Sequence, residues 1–547
     1  MTSDNGTDQR VIGQLLRARA VERPDETFLQ SGTTATYTYG QLDARADAVA
    51  AGFAALGIRK GDRVAILCQN RAEMIEIYFG LARIGAVQVP LNVYLKGEFL
   101  RYQIADCQAK ALVVDADGAA AVQPLLGDLT SLSAVVELDE SVSSAEISRS
   151  GKTVTGYAEL SDGTRSVPDV DVQPADTMSI LYTSGTTGFP KGCILSHGYY
   201  MRVAGLVADG LELADTDVVY SSLPLFHTGA RIMVLAMALR RGLPVVIDPA
   251  FSASNILPRC KEVGATVIIG MGAMGAAMLL QPDRDSDKDH SVHTMMMVPM
   301  TTTDQSRFTT RFGIDPWTEA FGQTECMPVL ATPRSHGQRD RTSCGIAAPD
   351  LEVGLLDDDN SPVPLGEVGE ICIRPKARFA MFDGYWNKPE DTLKQFSGLW
   401  YHTGDNARQL PSGAFAFVDR KKDAVRRRGE NVSSLELEAS LMEFAKVKEA
   451  AIHAVPSDLA EDDIKACLVL VDGESTEPAE LFAFFQDNLP YYAVPRYVEV
   501  VNALPRNAVG RVMKFKLRED PLNENTWDLE TLGFSVKKAD RRTVSQR

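Results

Sequence analysis

Short apolar runs alternate with longer amphipathic stretches through the first two thirds of the chain. RVAILCQN at 63–70 is followed by EMIEIYFGLARIGA at 73–86, and further β-branched runs occur at 111–115, 217–222 and 266–270. Strands that alternate with helices of this length are typical of crossover units in a parallel sheet. The pattern therefore predicts an α/β fold with a large N-terminal domain of parallel-sheet crossover units.

The pattern changes after about residue 350. LEVGLLD, GEVGEICIR and GAFAFVDR carry glycine and proline at strand spacing, which predicts an antiparallel sheet or small β-barrel-like part. Helical SLELEASLMEFAKV and PAELFAFFQDNLP flank the strand-like AIHAVP and ACLVLV, and together they predict a small α+β C-terminal domain. We expect domain boundaries at 1–419 and 420–525, followed by a polar tail at 526–547.

The longest uncharged apolar run is GATVIIGMGAMGAAMLL, at 264–280. It is slightly short for a membrane span and is interrupted by glycines. A buried strand, a turn and a helix explain it better, and we expect no membrane span.

Composition and charge narrow the class of protein further. A chain of 547 residues is too long for one compact core. The net charge of −17 argues against a nucleic-acid partner. The eight cysteines are scattered singly without a CxxC motif, which argues against zinc and disulfides and favours a cytoplasmic location.

The stretch YTSGTTGFPKG, at 182–192, has the composition of a phosphate-binding loop. Its hydroxyl groups can donate to an oxyanion, its glycines admit backbone N–H groups, and Lys191 adds positive charge. Pro190 before the lysine and Gly192 after it do not fit GxxxxGK[ST], which excludes a P-loop NTPase. Taken alone, the stretch could also be an ordinary flexible surface loop.

Further segments follow in order along the chain: LPLFHTG (223–229), FGQTE (321–325), GYWN (384–387), YHTGD (401–405), DRKKD (419–423), GENVSSLELE (429–438) and LPRNAVGRV (504–512). With the glycine-rich stretch, they closely resemble the motifs of the adenylate-forming superfamily, which includes acyl-CoA synthetases, luciferases and peptide-synthetase adenylation domains. The resemblance covers about residues 25–520 and is nearest to crotonobetaine/carnitine-CoA ligase-like members. It implies a large N-terminal domain and a small, mobile C-terminal domain.

The resemblance also implies roles for individual residues. Phe321 is expected to lie against adenine, Thr324 to bond the α-phosphate and Glu325 to hold Mg²⁺, for which a carboxylate is a suitable hard ligand. Asp405 is expected to accept hydrogen bonds from the ribose, with Arg420 beside it; a helix cap and a surface ion pair are the alternatives for these two residues. The ATP phosphates are assigned to Thr183, Ser184, Gly185, Thr186, Thr187, Gly188 and Lys191.

Such enzymes form an adenylate and pyrophosphate, then rotate the C-terminal domain about a hinge. The hinge position matches Lys422, and the resemblance assigns a thiol site, most simply for coenzyme A, to Arg426 and Gly429. A solvated basic face is the alternative for Arg426. The expected substrate pocket contains His227, Met296, Met297 and Gly322.

Two departures from the family pattern bear on function. Arg511 stands where the family usually has a catalytic lysine, and a wide planar guanidinium is not equivalent to an ammonium. Lys514 and Lys516 lie just beyond and could substitute. TMMMVPM (294–300) replaces a glycine-rich turn, and its methionines would either fill the acyl pocket or pack the core.

The leading hypothesis is ATP- and Mg²⁺-dependent adenylation of a small or aromatic acid, followed by transfer to coenzyme A. One alternative is a diazotase that adenylates nitrite and transfers it to an aryl amine, because Arg511 and a methionine-filled pocket suit a small oxyanion. A non-catalytic nucleotide-binding homologue is the second alternative. A homodimer is one expected assembly.

Overall fold

The computed structural model describes residues 11–139, 151–183, 190–336, 339–421, 425–427, 430–432, 434–456, 462–489, 493–506, 510 and 512–534. The chain forms two compact units, Met1–Glu352 with Arg374–Phe396, and Val353–Ile373 with Ser397–Arg547. The domain boundaries at 419 and 525 stay predictions. In the described part of the chain, no helix has both the length and the apolar character needed to cross a bilayer.

The first unit contains two seven-stranded sheets, each parallel except for one terminal hairpin. The first sheet has the strand order Pro316–Trp317, Thr294–Val298, Val267–Met271, Val219–Ser221, Val245–Ile247, Thr27–Ser31 and Ala35–Thr38. The second has the order Thr153–Gly156, Ala134–Glu137, Ala111–Val114, Arg63–Leu67, Val87–Pro90, Thr177–Thr183 and Lys191–Ser196. A separate hairpin pairs Ala320–Gln323 with Cys326–Ala331.

Helices follow the strands as the hydrophobic pattern predicts. In the first unit they are Ile12–Glu22, Tyr39–Ala55, Ala72–Arg83, Gly97–Asp106, Ala116–Val122, Tyr157–Leu160, His197–Leu211, Met237–Arg241, Ile256–Val263, Gly272–Leu279, Thr302–Phe312 and Pro389–Leu393. Short 3₁₀ segments span Gln123–Leu125 and Asp285–Lys288, and a π-helix spans Gly229–Ala236. The apolar run at 264–280 forms a buried strand and the helix after it, as predicted.

The second unit contains most of a five-stranded sheet, in which Leu351–Leu356, Val368–Pro375, Trp400–Gln409 and Phe396–Ser397 lie in that order and Phe415–Arg420 pairs with Trp400–Gln409. A ribbon pairs Val425–Arg427 with Glu430–Val432. A four-stranded sheet has the order Val447–Pro456, Asp462–Leu470, Tyr497–Val500 and Trp527–Asp528. The helices are Ser434–Leu441, Pro478–Asn488 and Lys514–Glu519.

Each unit is held by its own apolar core. One core of the first unit packs Leu67, Val89 and Ile104 around the second sheet. A core of the second unit packs Ile452, Ile464 and Phe485 between helices and the four-stranded sheet. The predicted fold class, with crossover units, a small antiparallel sheet and an α+β C-terminal part, is confirmed.

Candidate active site

The glycine-rich stretch connects the two strands of a hairpin. Thr183 ends one strand and pairs with Lys191, the first residue of the other. The loop is anchored where it leaves and re-enters the sheet: the Tyr182 hydroxyl donates to Asp106 Oδ2 at 2.6 Å, and the Tyr102 hydroxyl donates to the Pro190 carbonyl at 3.3 Å. The phosphate-binding residues expected within the loop, namely Ser184, Gly185, Thr186, Thr187 and Gly188, lie outside the described residues.

Lys191 lies beside the GYWN segment. Its Nζ is 5.2 Å from the centre of the Tyr385 ring and 3.6 Å from Asp391 Oδ2. Its side chain is 15% exposed, so the ammonium is largely screened from bulk water. A partly desolvated ammonium attracts an oxyanion more strongly than one in water.

Glu325 lies in the same cluster and is 8% exposed. The Tyr385 hydroxyl donates to Glu325 Oε1 at 2.8 Å, and the Phe382 amide donates to the Glu325 carbonyl at 2.8 Å. Burial, together with the Glu325 carboxylate, raises the pKa of the Cys193 thiol far above its ordinary value. Glu325 therefore lies among neutral hydroxyl and thiol groups.

The hairpin before Glu325 carries the other FGQTE residues. Phe321 is half-buried and pairs with Leu330 across the hairpin. At Gly322, a Cβ atom would lie 2.8 Å from Met327 Cβ, which leaves room only for glycine. The Thr324 carbonyl accepts a hydrogen bond of 3.0 Å from the Tyr199 hydroxyl.

His227 and the methionines belong to the first unit as well. The Gly229 amide donates to His227 Nδ1 at 3.2 Å, which leaves the imidazole proton to Nε2, and burial lowers the pKa of His227. Met297 is fully buried, Met296 is 7% exposed, and both lie on strand Thr294–Val298 of the first sheet. Their packing is that of core residues; their assignment to a substrate pocket stays a prediction.

Asp405 and Arg420 face each other on paired strands of the second unit. Arg420 Nε is 3.5 Å from Asp405 Oδ1, and Asp405 is 4% exposed. The hinge residue Lys422 and the thiol-site residue Gly429 lie outside the described residues. Arg426 is on strand Val425–Arg427, and only its backbone is described.

Lys514 begins the last helix and forms a charged contact. Its Nζ lies 2.7 Å from Glu438 Oε1 and bonds the Ser434 hydroxyl, while the Ser434 amide donates to Asp419. Burial raises the pKa of Glu438 although Lys514 opposes the shift. Arg511 lies outside the described residues, and the catalytic roles of Arg511 and Lys514 stay predictions.

The cluster around Glu325 fits the donor chemistry of Mg²⁺. A carboxylate with neutral neighbours keeps oxygen lone pairs for a hard cation, whereas the Lys191 ammonium suits phosphate. The motifs assign roles to Lys191 and Glu325 but none to Tyr385, Asp391 or Cys193. The GYWN segment is the available signal for Tyr385, but sequence alone does not show that its hydroxyl meets Glu325.

The fold, the motif order and this cluster are those of an adenylate-forming enzyme. The family described as AMP-binding enzyme matches residues 16–386, and the one described as AMP-binding enzyme C-terminal domain matches residues 436–511. The chain belongs to the AMP-binding enzyme family.

Similar proteins are consistent across the whole chain. Crotonobetaine/carnitine–CoA ligase of Salmonella agona is 32% identical over 495 residues, covering 89% of this chain and 94% of that protein. The structure of the anthranilate CoA ligase AuaEII with anthranoyl-AMP has a TM-score of 0.84 at 25% identity, covering 95% and 98% of the two chains. ATP-bound MatB from Rhodopseudomonas palustris has a TM-score of 0.79 at 26% identity, covering 93% and 98%.

These findings confirm the resemblance inferred from the motifs, including its nearest subfamily. The chain is an AMP-forming ligase of the acid–thiol type.

Proposed function

We propose that this chain uses ATP to adenylate a small or aromatic carboxylic acid and then transfers the acyl group to coenzyme A. The observation that carries the proposal is the cluster of Lys191, Tyr385 and Glu325, which joins three of the family's motifs in one place. The relatives named as CoA ligases, matched over nearly the whole chain, support the choice of acceptor.

In the first step, a carboxylate oxygen of the substrate attacks the α-phosphorus of ATP. The bond from the α-phosphorus to the bridging oxygen breaks, and pyrophosphate leaves with the electron pair. Bound Mg²⁺ supplies Lewis-acid stabilisation of the phosphate charge. Glu325 would hold the metal, and Lys191 would stabilise charge on the phosphates without reorganising.

In the second step, the thiol sulfur attacks the acyl carbonyl, AMP leaves, and the thiol proton is lost to solvent or base. Arg426 and Gly429 are the proposed thiol-site residues, and Lys422 is the proposed hinge. Asp405 with Arg420 is proposed to bind the ribose. Phe321 and Thr324 are proposed to contact adenine and the α-phosphate.

A screen of pyrophosphate release tests the proposal. Purified protein is given Mg·ATP with single carboxylic acids, with and without coenzyme A, and with nitrite plus amino-aromatic acids. Acid-dependent pyrophosphate release and a thioester that requires coenzyme A are expected. Release that requires nitrite, with no thioester from any acid, would instead identify the diazotase alternative.

Arg511 is the residue that the sequence leaves most open. If its positive charge acts on the oxyanion, Arg511→Lys should keep adenylation and Arg511→Ala should lower the rate about 10²-fold, as for loss of one charged transition-state contact. Lys516→Met, a nearby change of charge, is the matched control. Equal rates for all variants would remove Arg511 from the mechanism, and absence of turnover in the parent chain would favour the non-catalytic alternative.

A further inference from the structure

The YHTGD segment forms a bulge in strand Trp400–Gln409. Cys372 of the neighbouring strand pairs with His402, and Glu370 pairs with Asn406, so one residue on that strand faces three on the other. The central bulged residue, Gly404, has φ +73°, a left-handed conformation that favours glycine. Bulges redirect side chains next to functional sites, and this one carries Asp405.

Glu370 holds the bulge in place. Its Oε1 accepts from the Gly404 amide at 2.9 Å, and its Oε2 lies 3.0 Å from His402 Nδ1, which must carry the proton because its partner is a carboxylate. Glu370 is 5% exposed. An N–H group left over by the bulge is thus satisfied by a buried, ionised acceptor, which makes the hydrogen bond strong.

The same carboxylate reaches the strand that carries Arg420. The Lys421 ammonium lies 2.9 Å from Glu370 Oε2, and the Lys421 amide donates to the Gly404 carbonyl at 2.9 Å. Lys421 also pairs at 2.7 Å with Asp358, which is 84% exposed. Glu370 therefore fixes the backbone on both sides of the pair formed by Asp405 and Arg420.

The arrangement favours a positioning role over a metal site. Ligand atoms of Glu370, Cys372 and His402 lie within 4.8 Å of one another. The Lys421 ammonium already supplies the positive charge there, and burial raises the pKa of the Cys372 thiol to about 12, so a thiolate ligand is disfavoured. Both Glu370 oxygens are engaged by protein groups, so they act on a ligand only through the bulge.

We propose that Glu370 is the positioning residue for ribose recognition: it holds the bulge that aims Asp405, and it acts through Asp405 rather than on the nucleotide. The inference rests on the proposed function, in which Asp405 binds the ribose hydroxyls.

Calorimetric binding of AMP and of 2′,3′-dideoxy-AMP to the full chain tests the inference. Glu370→Gln keeps the size of the side chain but weakens the charged hydrogen bonds. It should raise the Kd for AMP about fivefold, the difference between a charged and a neutral hydrogen bond. The Kd for dideoxy-AMP should change less than twofold, because the ribose hydroxyls are gone. In Asp405→Asn, adding Glu370→Gln should change AMP binding less than twofold.

Asp358→Asn is the matched control. It removes an exposed partner of the same lysine, leaves the bulge contacts intact, and should leave both Kd values within twofold of the parent chain. Equal weakening of AMP and dideoxy-AMP by Glu370→Gln, or additive effects of Glu370→Gln and Asp405→Asn, would overturn the inference.

Thr403→Val provides a second variant if Glu370→Gln does not fold. The Thr403 hydroxyl donates to the Ile371 carbonyl at 2.7 Å and accepts from the Asp405 amide at 3.2 Å, so the substitution loosens the same bulge with little change in shape. It should weaken AMP selectively, and equal weakening of both nucleotides contradicts the inference. A parent chain that discriminates AMP from dideoxy-AMP but adenylates no acid would refute the proposed function alone.

Discussion

Glu325 and Glu370 are both buried glutamates beside family motifs, but their surroundings differ. Glu325 meets the hydroxyl of Tyr385 and the thiol of Cys193, both neutral groups. Glu370 meets an ammonium, an imidazole and a backbone amide.

The difference indicates what each carboxylate can do. Charged partners within the protein satisfy Glu370, so it organises structure. Neutral partners leave the negative charge of Glu325 to attract a cation from outside, as a metal ligand requires. Burial alone does not separate these roles; the charge of the partners does.

The largest expected effect is that of Glu325→Gln on turnover. Losing a carboxylate that holds the metal should lower the rate of pyrophosphate release about 10²–10³-fold at saturating ATP, comparable to removal of one preorganised transition-state contact. The rate should rise again in part at high Mg²⁺. Glu390→Gln, on the exposed start of helix Pro389–Leu393, is the control and should be unchanged. Undiminished turnover in Glu325→Gln would end the comparison.

The next effect is on stability, and it should fall on the other carboxylate. Glu370→Gln should destabilise the second unit by about 2 kcal/mol, or roughly 4–8 °C in the thermal midpoint. The value is below the usual cost of breaking a buried pair because Lys421, 41% exposed, can turn towards water. Scanning calorimetry measures the shift, and a larger drop in Glu325→Gln than in Glu370→Gln would reverse the assignment of roles.

Tyr385→Phe separates the hydroxyl group from the ring. It removes the hydrogen bond to Glu325 but keeps the aromatic face beside Lys191. Loss of about 1 kcal/mol should raise the Mg²⁺ concentration for half-maximal turnover roughly fivefold, with little change at saturating Mg²⁺. An unchanged Mg²⁺ dependence would show that the hydroxyl does not orient Glu325.

The smallest effect concerns pH. Burial opposes ionisation of Glu370, but hydrogen bonds from His402, Lys421 and Gly404 outweigh it and lower the pKa of Glu370 below its ordinary value of 4.5. A lowered folded-state pKa gives stability that is present above the unfolded pKa and lost as pH falls through the folded one. The difference in thermal midpoint between the parent chain and Glu370→Gln should be constant from about pH 8 to 6 and narrow below about pH 4.5. A gap that widens on acidification contradicts the sign.

Local elements and the chemical class follow from the order of residues alone. Apolar runs of strand and helix length encode their own secondary structure, so the run at 264–280 is recognisable from its residues as a strand followed by a helix. Motif order carries the family, because a fixed series of segments is legible without knowing where each lies in space.

Which of these residues act on one another depends on the tertiary structure. Tyr385 and Glu325 are 60 positions apart, and Glu370 and Lys421 are 51 apart. Their meeting depends on strand register, including the bulge at Thr403–Asp405, and register is set by how whole sheets pack. The two glutamates look alike in sequence because a carboxylate's role is decided by the charge of neighbours that the fold supplies.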